Sequence, residues 1–396
     1  MAKIPEGEIP PLDGLLPDSS LQELNKPFSL YVHVPYCAKR CGYCDFNTYT
    51  PSELDLADQI NSWLVSAKKE VQLAKKILKK DLKIDTIFFG GGTPSLLDPS
   101  DLINFMNYVK DNFELKKDIE ITLEANPDTI NEINAAGWVD AGVNRISMGM
   151  QSSVKNVLKT LDRTHNPENV VNAFETLNKS GISNVSLDLI YGTPGESFSD
   201  WEETLNAALE IKPNHISAYA LVIEPGTKMG SQLNRGEISP VDEDQSADKY
   251  NLIDKKLTST GYQWYEISNW AKDGFECKHN LNYWYGNNWW GIGPGAHSHV
   301  GGTRWWNHKL PKKWRENLEL DTSPALGREV LTSSQIEDEK LMLNIRLKSG
   351  VSKANISSEN ISMLISQGLI QQDHSNIYLT TQGRLLADLV YRKISS

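Results

Sequence analysis

Residues 29–46 read Ser-Leu-Tyr31-Val-His33-Val-Pro35-Tyr-Cys37-Ala-Lys-Arg-Cys41-Gly-Tyr43-Cys44-Asp45-Phe46. A short apolar run is followed at once by Cys37-x3-Cys41-x2-Cys44, and the fourth cysteine of the chain, Cys277, lies far away. Four cysteines in 396 residues make no disulfide framework. Three within eight positions read instead as metal binding or redox chemistry. Thiolates are soft ligands that suit iron–sulfur clusters and zinc. Electron-transfer clusters take four protein thiolates, so three leave one iron of a cubane open to a small molecule. The common zinc layouts pair Cys-x2–4-Cys motifs far apart, which this spacing does not match, but a structural zinc completed by Cys277 or His33 stays open.

Working outward, apolar runs recur at 29–34, 86–89, 119–124, 145–149, 185–190 and 216–222. Several are nearly continuous, as in parallel strands buried on both faces. Helical patterns fill the intervals at 58–80, 99–112, 167–180 and 199–211. The alternation predicts an α/β fold with parallel strands over 28–225, and six units suit an open, partial barrel. The lysines of 68–80 read as the solvated outer face of a helix. Residues 1–27, rich in Pro, Gly and acidic groups, read as an extended arm.

The segment 226–325 holds eight of eleven tryptophans and four of eight histidines, which predicts a surface for a flat aromatic partner. From 326 to 396 a helix, a short hairpin around 370–381 and a last helix predict a small α+β, winged-helix-like domain. Its usual nucleic-acid role is not supported by charge, so a structural or gating role is expected. Lys+Arg number 40 against 51 Asp+Glu, a net charge of −11, which leaves no basic excess to displace counterions. Mean hydropathy is −0.43, and no apolar run approaches the ~18–20 residues of a membrane span. The first residues show no basic region followed by an apolar one, so a cytoplasmic location is expected.

Function in open parallel sheets and barrels gathers at strand C-termini. Here the predicted strands lead to Cys37, to Gly90-Gly91-Gly92-Thr93-Pro94, to Glu124-Ala-Asn-Pro, to Gly149-Met-Gln151, and past Asp188 to Tyr191-Gly-Thr-Pro-Gly. Consecutive glycines let backbone approach a ligand closely.

The cysteine spacing after a first strand resembles the radical S-adenosylmethionine (SAM) superfamily. The wider match, Tyr31-x-His33-x-Pro35-x-Cys37 through Cys44-Asp45-Phe46, resembles its subgroup of oxygen-independent coproporphyrinogen oxidases and heme chaperones. The resemblance runs from about residue 28 to the C-terminus and implies a partial (β/α)6 barrel core. It implies a [4Fe–4S] cluster on Cys37, Cys41 and Cys44 whose open iron takes SAM. Gly91, Gly92 and Thr93 are then expected at the methionine end of SAM, with Glu124 contacting it. Gln151, Arg163 and Asp188 match residues lining a second such site, and Tyr31, Tyr43 and Val222 complete the expected cofactor contacts. A guanidinium suits a ligand carboxylate, and Asp188 suits ribose hydroxyls.

Two positions separate the subfamilies. The oxidases carry a further cysteine two residues after the third, where this chain has Phe46. His279-Asn-Leu-Asn-Tyr283-Trp284 matches the His-Asn-x-x-Tyr-Trp motif of the heme chaperones, and imidazole is a good heme ligand. The expectation is therefore a heme carrier that ligates heme through His279 and passes it to an acceptor protein. Radical decarboxylation of coproporphyrinogen III is the alternative. The roles of Cys277 and His297 stay open, as do the acceptor, a membrane-associated one included, and a homodimer.

Overall fold

The computed structural model describes residues 7–54, 56–78 and 82–395. The end of the helix expected over 58–80 and the first six residues of the arm lie outside them.

Six parallel strands form where the apolar runs predict them: β1 (Phe28–Val34), β2 (Lys83–Gly91), β3 (Glu114–Ala125), β4 (Arg145–Gln151), β5 (Asn184–Tyr191) and β6 (His215–Ala220). They lie side by side in sequence order. The short α1 (Asp18–Gln22) precedes them. The crossovers carry α2 (Leu56–Leu78), α3 (Pro99–Asn112), α4 (Glu132–Ala141), α5 (Lys155–Thr160), α6 (Pro167–Lys179) and α7 (Phe198–Ile211). Local chemistry sets their ends. Asp98 caps α3 ahead of Pro99, Gly142 closes α4 at φ 98°, and Ser197 with Asp200 forms a capping box on α7. Trp63, Trp138 and Trp201 of α2, α4 and α7 are fully buried, and the core lies between helices and sheet.

Beyond α8 (Lys228–Asn234) and α9 (Glu243–Ser259), the hairpin β7 (Gln263–Glu266) and β8 (Asn269–Ala271) extends the sheet past β6. After α10 (Lys278–Trp284), β9 (Asn288–Ile292) joins β1 in parallel. β10 (His297–Val300), β11 (Thr303–Asn307) and, after α11 (Pro311–Glu319), β12 (Ala325–Val330) continue antiparallel. The sheet thus has twelve strands and open ends at β12 and β7 among the described residues. Most tryptophans of the 226–325 segment, expected at a surface, are core instead. Trp264, Trp270, Trp290, Trp305, Trp306 and Trp314 are buried, and only Trp284 and Trp289 of the eight are half-buried. Their bulk fills the layer under the added strands, as in Trp290 against Trp305 with centroids 4.8 Å apart.

The arm packs on the far edge, where Glu8 exchanges backbone hydrogen bonds with Arg328 of β12. The C-terminal part, α12 (Ser333–Asn344), β13 (Val351–Ser352), α13 (Ser358–Ser366), β14 (Ile370–Gln372), β15 (Asn376–Leu379), α14 (Thr381–Leu385) and α15 (Ala387–Ile394), has its own three-stranded sheet and its own core around Ile345, Leu364, Ile377 and Val390. Among the described residues no helix is long and apolar enough to cross a membrane.

Candidate functional site

Parallel register brings the C-terminal ends of β1–β6 to one rim. Val34 pairs with Gly91, which sets the cysteine loop beside the glycine run. The loop is pinned by its backbone: Cys37 N–H donates to Tyr49 O (2.9 Å), Gly92 N–H to Val34 O (2.8 Å) and Thr93 N–H to Tyr36 O (2.7 Å). Gly91 sits at φ 111°, and a Cβ there would fall 2.5 Å from the His33 ring; one on Gly92 would fall 2.5 Å from Tyr36 O. Glycine is therefore required at both positions.

A cavity of about 670 Å³ opens at this rim. Cys37, Cys41 and Cys44 all line it, as do Tyr43, Gly91, Gly92, Thr93, Glu124, Gln151, Arg163, Asp188 and Val222. All three thiols are free, and burial raises the pKa of Cys37 and pushes that of Cys44 up to about 11. Arg163 reaches toward Cys41 Sγ (3.7 Å) and donates to Gly149 O (3.0 Å). Gln151 follows a bulge in β4 at φ 60°, a left-handed conformation that costs a non-glycine residue energy and concentrates at functional sites. Glu124 accepts the Gly91 N–H (3.1 Å); burial, with Asp188 nearby, raises its pKa to about 7. Asp188 accepts from Ser147 Oγ (2.7 Å) and Ser186 Oγ (3.1 Å), and burial raises its pKa as well.

Arg145 was not anticipated. It is 2% exposed, lines the cavity and is held charged beside Cys277, Glu120 and Asp188. Ser147 and Ser217 line the cavity too. Their signal in the sequence is period two: Arg145, Ser147 and Gly149 alternate with Ile146 and Met148, the polar positions facing inward.

Tyr31 and His279 lie apart from this cavity. Tyr31 lines a second one of about 640 Å³, which shares Asp45, Phe46, Gly91 and Glu124 with the first. Its hydroxyl meets His33 Nδ1 (3.0 Å), and His33 Nε2 meets Asn47 O (2.9 Å). His279 is fully buried behind β2. Thr86 Oγ1 donates to Ser29 Oγ, so it accepts from His279 Nδ1–H (2.7 Å), and Nε2 then accepts from the Tyr283 hydroxyl (2.8 Å). The ring stacks on Phe88 at 5.0 Å, and burial lowers its pKa to about 3. In this arrangement iron could reach Nε2 only by displacing Tyr283. Cys277 is also fully buried, its Sγ 3.6 Å from Glu120 Oε1 and its pKa pushed up to about 12 by burial.

The radical SAM superfamily model matches residues 31–208. The heme chaperone HemW of Mycobacterium tuberculosis (strain H37Rv) is 42% identical over 372 residues, covering 93% of this chain and 95% of that one. The heme chaperone HemW of Bacillus subtilis is 34% identical, covering 92% and 98%. The coproporphyrinogen III oxidase HemN of Escherichia coli, described as a radical SAM enzyme, superposes with a TM-score of 0.82 at 22% identity, covering 97% of this chain and 94% of that one. That last likeness shows a shared fold. Cysteine loop, glycine run and rim carboxylates thus occur in a chain that belongs to the radical SAM superfamily and, within it, to the HemW family.

Proposed function

We propose that this protein binds heme and passes it to an acceptor protein, and that it carries a [4Fe–4S] cluster on Cys37, Cys41 and Cys44 with SAM on the open iron. The donor set fits a cluster better than a zinc ion. Cys37, Cys41 and Cys44 present three soft thiolates to one cavity. A cluster spreads its thiolates over several irons. Both candidate fourth ligands are committed elsewhere: His33 spends both ring nitrogens, and Cys277 is buried against Glu120. When bound, the cluster supplies a site for SAM and a one-electron couple.

Around it, the glycine run offers backbone to the methionine end of SAM and Glu124 offers a carboxylate to its ammonium. Arg163 suits a carboxylate, Asp188 suits ribose hydroxyls, and Gln151, Tyr43 and Val222 complete the wall. The observation that carries the heme reading is the second cavity. It is walled by Tyr31, Tyr283 and Trp289, adjoins the cluster cavity, and has Phe46 on the shared border. Its size suits a large, flat, mostly apolar ligand. The names of the relatives support the same cargo and the existence of an acceptor. Phe46 is 63% exposed and puts a ring where the resemblance places an oxidase thiol.

The test is anaerobic cluster reconstitution followed by heme titration of the Soret band. A single saturable heme per chain is expected. Absence of specific heme binding, together with conversion of coproporphyrinogen III to protoporphyrinogen IX, would replace this reading by the oxidase.

A further inference from the structure

The chain has eight histidines, and their ring nitrogens separate them. His33, His165, His215, His279 and His299 each have both nitrogens within hydrogen-bond distance of a partner. His308 and His374 line neither of the two cavities. His297 is different. It is exposed at the start of β10, lines the second cavity, and among the described residues its ring nitrogens have no hydrogen-bond partner.

We propose that His297 is the axial ligand of heme held in this second cavity, between the aromatic edge of the sheet and helix α12. The proposal rests on the heme-carrier reading and assigns its cargo site.

The imidazole is held on rigid backbone. His297 pairs in register with Trp306, and their rings stack at 6.1 Å and 28°. Trp289 Nε1–H donates to the His297 carbonyl (3.0 Å), so ligand and aromatic wall move together. Trp289 in turn packs edge-on against Tyr283 at 4.8 Å. The Gly-rich loop before β10 is tied to the end of β11, by Gly295 N–H to His308 O (3.0 Å) and Asn307 N–H to Ala296 O (2.9 Å). A ligand on strands supported in this way is positioned more tightly than one on a free loop. Across the cavity, α12 presents Met342 and Leu343. A planar macrocycle between these walls would contact apolar side chains on both faces, with the imidazole as its nitrogen donor.

Charge fits as well. Partial burial, and then Lys309 and Arg304 at the cavity wall, lower the proton affinity of His297. Helix α12 has no fully buried residue, and Arg304 pairs with Glu339 on it. The wall opposite the sheet is thus the lightly packed one, which suits a cargo that must leave.

The experiment compares heme binding to the reconstituted wild type, His297→Ala and His279→Gln, with circular dichroism to verify folding. Soret position and affinity are read, then imidazole is added to each. His297→Ala is expected to shift the Soret band and weaken binding at least about tenfold, the low end of losses at supporting residues of metal sites. Added imidazole should restore the wild-type spectrum in that variant, while His279→Gln keeps it throughout. A His297→Ala protein with unchanged spectrum and affinity overturns the ligand assignment and leaves the carrier reading standing. A wild type that binds no heme overturns the carrier reading, and the assignment with it.

Discussion

Glu70 of α2 is 1% exposed and accepts three hydrogen bonds: from Gly293 N–H (2.8 Å), Trp314 Nε1–H (2.8 Å) and Asn307 Nδ2–H (2.7 Å). It thereby ties α2 to the loop after β9, to α11 and to the end of β11, beneath the strands that carry Trp289 and His297. Glu70→Ala would strand three buried donors. At ~1–3 kcal/mol for each unsatisfied group, even the low end totals about 3 kcal/mol before any cavity term is added. The carboxyl also makes stability depend on pH. Burial raises its pKa from 4.5 to about 7, the three hydrogen bonds opposing. The folded state therefore holds a proton that the unfolded state gives up. This stabilisation is full below about pH 4.5 and is lost as pH rises through about 7. Linkage between those values gives about 2.5 kcal/mol lost from pH 5 to pH 8. Denaturant unfolding of wild type and Glu70→Gln at the two pH values isolates this group. The stability difference between them should change by that amount, the wild type weakening at the higher pH. Parallel pH profiles, or a Glu70→Ala protein within about 1 kcal/mol of wild type, would refute the account of Glu70 as a buried, proton-binding tie.

Gly91→Ala, forced to φ 111° with its Cβ on the His33 ring, should cost about 1–3 kcal/mol in thermal unfolding and weaken SAM binding in equilibrium dialysis; unchanged values would refute the steric argument. The Glu124 carboxyl, lifted to about 7 by burial, should make SAM affinity rise from pH 6 to pH 8 as the carboxylate forms opposite the ligand's ammonium. Glu124→Gln should flatten that profile, and a persisting slope would assign it to another group. Lys249 and Glu196 form an ion pair with both side chains almost wholly buried, at 2.7 Å. Lys249→Met should destabilise by about 3–5 kcal/mol through the carboxylate it orphans, and adding Glu196→Gln should recover part of the loss. In cluster-free protein, iodoacetamide followed by mass spectrometry should label half-exposed Cys41 and spare Cys277 until denaturant is added.

The parallel strands and the motifs gathered at their rim were legible because their signals are local. β1, β2 and β5 hold dense apolar stretches (Leu30–Val32, Ile87–Phe89 and Leu189–Tyr191) that lead to Cys37, the glycine run or the Tyr191 loop, and each motif follows within a few residues. β9 was not legible, since Asn-Trp-Trp-Gly-Ile is short and sits among tryptophans whose burial only the finished sheet explains. Arg145 was missed for a related reason: one charge at the head of an apolar strand says nothing until Glu120 and Asp188 arrive beside it from neighbouring strands. The two histidines carry this furthest. His279 lies in a motif and His297 in a glycine-rich loop, and sequence gives the first the stronger claim on iron. What decides availability is who holds the ring nitrogens. Thr86, on the far side of the chain from the motif, takes one from His279, and Tyr283 takes the other. Among the described residues no comparable partner reaches the ring nitrogens of His297. The second cavity is assembled from β1, the 45–47 loop, β9–β11 and α12, segments separated by up to some 300 positions. A site gathered over such distances leaves no spacing to read, whereas the cysteine loop is written within eight residues.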